Sequence, residues 1–123
     1  MMTTQARGNT FPKGFVRVAH IREIPDRCSK KIILGGEEIA LWHVGDRFYA
    51  VGNVCPHQHF SALHQGILDG LFLTCPMHGW TYSLETGIAI VGNGRVLTYR
   101  VELWGDDVIM EGPHGEATDD SEA

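Results

Sequence analysis

Two short segments carry the side chains most able to do chemistry: Cys55-Pro56-His57 and Cys75-Pro76-Met77-His78, a Cys-x-His and a Cys-x-x-His separated by seventeen residues. Two thiolates and two imidazoles in this arrangement can hold a metal centre. The mixed spacing favours a two-iron, two-sulfide cluster with cysteines on one iron and histidines on the other. Pro56 and Pro76 directly follow the cysteines, where a fixed φ stiffens each loop and removes a backbone donor that would otherwise need a partner. Gly79, next after His78, permits a positive φ or a close backbone approach. A zinc ion held by the same side chains is an alternative, but structural zinc sites usually pair like residues as Cys-x2-4-Cys and His-x3-5-His. A disulfide between the cysteines is a second; the start of the chain lacks the charged-then-apolar pattern of export, so a reducing compartment is expected. Coincidental core residues are a third, and the proline and glycine neighbours argue against it.

The spacer must bring the two segments together. It runs from Gly66 to Thr74 and places Asp69-Gly70 between apolar stretches, a strong short-range hairpin signal. A hairpin there returns the chain to its start and sets the two ligand loops side by side at its open end. Each loop then supplies one sulfur and one nitrogen, and the metal centre becomes a clasp between them.

The rest of the chain is read as short strands at 15–21, with Val16 and Val18 on one face, and at 31–34, 38–44, 47–51, 99–104 and 107–110. Gly45-Asp46 and Gly105-Asp106 place glycine first in the turn, which suits type II′ hairpins. With no helical period of convincing length, the pattern predicts an antiparallel all-β domain. Segment 53–83 is expected to be a small hairpin-and-loops unit on that β base, with 87–96 a nearby glycine-rich loop. A chain of 123 residues, 43% hydrophobic, suits one domain with a modest core. Cys28, beside Arg27 and Ser29, reads as a free structural thiol.

Residues 1–110 hold ten Lys or Arg and ten Asp or Glu, so the net charge of −5 comes wholly from Glu111, Glu116, Asp119, Asp120 and Glu122. The expected division is an N-terminal arm at 1–14, a domain at 15–110 and an acidic, disordered tail at 111–123. A nucleic-acid partner needs clustered positive charge and is not expected. No apolar run reaches the eighteen residues that suggest a membrane span, and a cytoplasmic protein is expected.

Cys55-Pro56-His57, Cys75-Pro76-Met77-His78-Gly79-Trp80-Thr81-Tyr82 and Glu85-Thr86-Gly87 together closely resemble the Rieske family of 2Fe-2S proteins. The resemblance covers about residues 15–110. It implies a Rieske-type antiparallel β sandwich or barrel carrying a small cluster-binding subdomain, and one [2Fe-2S] cluster. By residue, it implies Cys55 and Cys75 on the inner iron and His57 and His78 on the outer iron that accepts the electron. Similar proteins are low-potential ferredoxins that take electrons from a flavin reductase and deliver them to a dioxygenase or another oxidoreductase. Others are the small subunit of assimilatory nitrite reductase. A diffusible one-electron carrier, itself no enzyme, is the function implied, with the reductase subunit and a zinc-stabilised interaction module as alternatives.

High-potential members of the family carry an additional cysteine in each ligand loop and a serine after the second histidine. Phe60, Met77 and Trp80 stand at those positions here. Fewer donors to cluster sulfur predict a potential at the low end of the Rieske range, about −150 to +300 mV. Tyr82 matches a tyrosine whose hydroxyl can reach a ligand sulfur; its alternative reading is a half-buried core tyrosine. Neutral imidazoles in place of two thiolates make adding an electron easier than in an all-cysteine ferredoxin near about −400 mV. Their outer N–H groups couple oxidation state to protonation, so the potential is expected to fall at alkaline pH. Around the histidines lie Gln58, His59, Phe60, Leu63, His64 and Trp80. Leu63 and Phe60 are expected to cover the site, and His59 and His64 to be ordinary loop histidines. Relatives often carry proline in the last loop, where this chain has Gly92-Asn93-Gly94.

Overall fold

A computed structural model describes residues 11–55, 62–76 and 79–112. Among them the strands are β1 (Phe15–His20), β2 (Ser29–Leu34), β3 (Glu37–Val44), β4 (Arg47–Gly52), β5 (Ile67–Asp69), β6 (Phe72–Thr74), β7 (Thr81–Ser83), β8 (Ala89–Val91), β9 (Thr98–Tyr99), β10 (Val101–Trp104) and β11 (Asp107–Glu111). Two single-turn 3-10 helices, Ile21–Glu23 and Leu63–Gln65, interrupt them. The strands form three sheets, ordered β1-β11-β10, β2-β3-β4-β9 and β5-β6-β7-β8. Every strand pairing is antiparallel, as the all-β reading expects.

Strand β3 explains how the sheets stack. Its run Ile39-Ala40-Leu41-Trp42 is buried throughout, the pattern of a strand covered on both faces. Ile39 and Leu41 join Ala19, Ile24, Phe48, Val108 and Met110 in one core. Ala40 and Trp42 face the other way, into a second core with Val51, Leu63, Leu73, Tyr82 and Leu84. The middle sheet thus serves both the β base and the unit formed by β5 to β8.

The hairpins behave as their turn residues require. Gly45 and Gly105 each take φ +67° while Asp46 and Asp106 do not turn positive, the type II′ signature. The spacer hairpin shifts by one residue from the expected turn: Asp69 still pairs with Phe72, and Gly70-Leu71 makes the turn with Gly70 at φ +62°. Glycine is again the residue that supplies the positive φ first.

Three expectations are corrected. In β1 the register shifts between Arg17 and Ala19, so the buried residues are Phe15 and Ala19 while Val16 is exposed; a bulge resets the side-chain alternation. Segment 99–104 is not one strand. Thr98 and Tyr99 pair with β4, Val101–Trp104 pairs with β11, and Arg100 between them marks the switch from one sheet to the next. The unit expected at 53–83 is more than a hairpin with loops, because β7 and β8 extend it to four strands and Ala89–Val91 of the supposed loop pairs with β7.

Candidate metal centre

Cys75 directly follows β6, and Cys55 comes three residues after β4. Although twenty positions apart, both are only 1% exposed, and both belong to the core cluster built around Tyr82, Leu63 and Leu73. The hairpin of β5 and β6 has returned the chain as its turn residues require. Deep burial raises the cost of an ionised thiol unless a cation or hydrogen-bond donors compensate.

One donor is in place. Tyr82 Oη lies 3.6 Å from Cys55 Sγ, and Tyr82 is fully buried at 1% exposure rather than half-buried. Burial, the Cys55 hydrogen bond and the nearby Cys55 and Cys75 sulfurs push its phenol well above the usual tyrosine range. The hydroxyl therefore keeps its proton and is able to donate to a thiolate at this sulfur. Tyr82 is core residue and sulfur partner at once, more deeply buried than the half-buried alternative had it.

The backbone closes the second ligand loop. The Cys75 N–H donates to the Trp80 carbonyl at 2.7 Å, and the Gly79 N–H donates to the Cys75 carbonyl at 3.1 Å. Gly79 takes φ +79°, and a Cβ there would meet nothing within 4 Å. Backbone conformation, not crowding, is what calls for glycine at that position.

Asn53 closes the first ligand loop, a role that sequence reasoning missed. Its carbonyl accepts the N–H groups of Ala62 at 3.2 Å and Leu63 at 3.1 Å. Its Oδ1 accepts the His64 N–H at 2.6 Å and faces His64 Nδ1 at 3.1 Å. The side chain is 0% exposed, so these bonds tie the two ends of the segment that contains Cys55 across a dry base. An asparagine beside Gly52 inside an otherwise apolar run was the available signal, since Asn is depleted from strands. The turn Leu63–Gln65 is also held from below, by Trp42 Nε1 donating to the Leu63 carbonyl at 3.2 Å and by Ser29 Oγ donating to the His64 carbonyl.

Leu63 is fully buried, the covering role expected of it. Trp80 is partly buried against the same core. His64 is an ordinary histidine bonded to Asn53; burial holds its pKa down, the Lys31 cation adds to that, and Glu38 opposes it. Cys28 is free but exposed, because it lies in a surface turn before β2 whose Cys28 N–H donates to the Pro25 carbonyl. His57 and His78 lie outside the described residues, as do Pro56, Gln58, His59, Phe60, Ser61 and Met77. The expectations placed on Phe60, His59 and Met77 fall there too.

Two buried cysteines in one cluster, with a tyrosine hydroxyl within hydrogen-bond reach of one of them, suit thiolate ligation of an iron–sulfur centre. The class defined by this fold and site is an all-β iron–sulfur protein. Comparison with known proteins gives the family. The Rieske [2Fe-2S] domain matches residues 14–97, and the chain belongs to the Rieske [2Fe-2S] family, whose cofactor is one [2Fe-2S] cluster. It is an electron-transfer component rather than a substrate-converting enzyme. It is 30% identical over 91 residues to the ferredoxin component of the naphthalene 1,2-dioxygenase system of Pseudomonas aeruginosa, covering 72% of this chain and 86% of that protein. A solved complex of reduced oxygenase and oxidised ferredoxin in carbazole 1,9a-dioxygenase contains a chain 26% identical, with a TM-score of 0.73 over 82% of this chain and 95% of that one. A nitrite reductase (NADPH) small-subunit protein shares the fold, with a TM-score of 0.72 at 20% identity over 78% of this chain and 96% of that one.

Proposed function

We propose that the chain is the diffusible ferredoxin of a dioxygenase system, taking one electron at a time from a flavin reductase and passing it to a terminal oxygenase. The observation that carries this reading is the pair of buried cysteines, Cys55 and Cys75, packed in one cluster with Tyr82, whose hydroxyl lies 3.6 Å from Cys55 Sγ. The proposed ligands are Cys55 and Cys75 for one iron and His57 and His78 for the other. When bound, the cluster supplies a single site that holds or releases one electron.

The chain's own residues do the rest. Leu63, Leu73 and Leu84 keep water from the sulfur side, so an electrostatic change there is weakly screened. With Cys55 as a thiolate, the Tyr82 O–H, 3.6 Å from Cys55 Sγ, donates to that sulfur and stabilises negative charge there more as the charge grows. Asn53 and the Cys75–Trp80 backbone bond hold the two loop bases in place, so little has to move when the charge changes. In this reading residues 15–110 are the electron-carrying domain, 53–83 its cluster-binding segment, and the protein works in the cytoplasm. Among the described residues no helix is long and apolar enough to cross a membrane.

The relatives support an oxygenase as acceptor: one is the ferredoxin of a naphthalene dioxygenase system and another is seen in complex with its oxygenase. The small subunit of a nitrite reductase shares only the fold at this identity. Stopped-flow mixing of the reduced protein with an oxygenase encoded beside it tests the reading. Reoxidation at a rate that rises with oxygenase concentration is expected. Transfer confined to a nitrite reductase flavoprotein would refute it.

A further inference from the structure

The loop Gly92-Asn93-Gly94 takes up a task that none of the ligand-type residues performs. In the pairing of β7 with β8, Thr81 faces Val91. One step further along this antiparallel ladder, Trp80 comes opposite Gly92. A Cβ built on Gly92 would lie within 2.7 Å of three indole atoms of Trp80, Cγ, Cδ2 and Cε3. The face of the indole therefore rests directly on the Gly92 backbone. An aromatic ring laid over a cross-strand glycine is a known way to fix a strand end that has no side chain of its own. Gly92 has φ +96°, a conformation that other residues rarely take. The loop behind it is itself held, by the Ala89 N–H donating to the Gly94 carbonyl at 3.0 Å and by the bridge between Ile88 and Arg95.

The other end of the same tryptophan reaches the metal centre through the backbone. Its carbonyl accepts the Cys75 N–H at 2.7 Å. The chain from Gly92 through the indole to the Cys75 backbone is thus continuous and short, and its middle member is a rigid ring.

We propose that Gly92 and Trp80 are positioning residues for the second ligand loop: the indole, seated on the bare Gly92 backbone, sets where Cys75 stands relative to Tyr82 and Cys55. The loop acts as a seat for the ring, and glycine is required at its contact point because any Cβ would unseat it. This inference rests on the proposed electron-carrier reading only for its redox readout.

A built-in control makes the test sharp. Gly94 has φ +85°, close to that of Gly92, yet a Cβ there would meet nothing within 4 Å. Gly94→Ala therefore carries the backbone strain without the ring contact, and Gly92→Ala carries both. The chain has three tryptophans, Trp42, Trp80 and Trp104, so 5-fluorotryptophan labelling gives three fluorine resonances, with Trp80 assigned by its loss in Trp80→Phe. In the full-length, cluster-loaded protein, Gly92→Ala is expected to shift the Trp80 resonance, change the paramagnetic spectrum of the reduced state and move the midpoint potential. Gly94→Ala is expected to leave all three near the parent values. Trp80→Ala should reproduce the spectral and potential changes of Gly92→Ala, and the double variant should add nothing, the mark of two residues acting as one. If Gly92→Ala does not fold, Trp80→Ala set against Gly94→Ala still decides the matter. Equal effects of Gly92→Ala and Gly94→Ala, effects that add in the double variant, or a Trp80→Ala protein with unchanged spectrum and potential would each overturn the proposal. The fluorine shift is read whether or not the protein reduces an oxygenase, so failure of the functional reading is seen separately.

Discussion

Replacing Tyr82 by phenylalanine removes one oxygen from a fully buried site and leaves the ring packing unchanged. The lost contact is the 3.6 Å hydrogen bond to Cys55 Sγ. Hydrogen bonds to charged groups contribute about 1.5 to 3 kcal/mol, and a contact of this length to sulfur belongs at the lower end, about 1.5 kcal/mol. Only the part that differs between oxidation states reaches the potential. The reduced state carries one more negative charge, so between half and all of the bond's worth is lost on that side. For a one-electron couple, 59 mV corresponds to about 1.4 kcal/mol, which gives a fall of roughly 30 to 60 mV in Tyr82→Phe. Because burial and the neighbouring sulfurs hold the phenol protonated well beyond the usual tyrosine range, the difference between parent and variant should stay constant from pH 6 to pH 9. Protein-film voltammetry of both proteins measures it directly. A potential unchanged within about 10 mV, or one that rises, would refute the claim that Tyr82 donates to the ligand sulfur.

Three further outcomes follow from the same geometry. Asn53→Ala takes the acceptor from the part-buried His64 N–H and should cost about 0.5 to 1.5 kcal/mol in chemical denaturation, with faster cluster loss; unaltered stability and retention would contradict the loop-closing role. His64 has a folded pKa held below its usual value, so the unfolded chain takes up the proton first as pH falls below about 6.5. Stability should drop with pH through that window, and His64→Gln should flatten the profile in urea unfolding; an equal slope in both proteins would contradict it. Substituting His57 or His78 by cysteine adds a thiolate charge and should lower the potential or abolish the cluster, whereas unchanged redox behaviour would rule out histidine ligation.

How much of this could be read from residues alone depended on the range of the forces involved. The hairpins were legible because Gly45, Gly70 and Gly105 act within two or three residues. The gathering of Cys55 and Cys75 was legible because the hairpin signal lies in the short spacer between them. The shift of the turn from Asp69-Gly70 to Gly70-Leu71 was not, since cross-strand pairing of Asp69 with Phe72 decides it. The bulge at Val18 and the sheet switch at Arg100 escaped for the same reason: each is set by partners on β11 and β4 far along the chain. Strand β8 hid between the flanking Gly87 and Gly92 and behind its three-residue length. Asn53 looked like loop material because its value lies in bonds to residues 62–64, and Gly92 looked like flexible filler because its value lies in what it lacks.

The central claim is a two-iron centre held partly by nitrogen. Low-temperature electron paramagnetic resonance of the dithionite-reduced protein, with histidine nitrogens labelled and the same sample assayed for iron and acid-labile sulfide, tests it most directly. Two irons and two sulfides per chain, one unpaired electron, and hyperfine coupling to histidine nitrogen are expected. A protein prepared without oxygen that contains zinc instead, or a cluster signal with no nitrogen coupling, would contradict it.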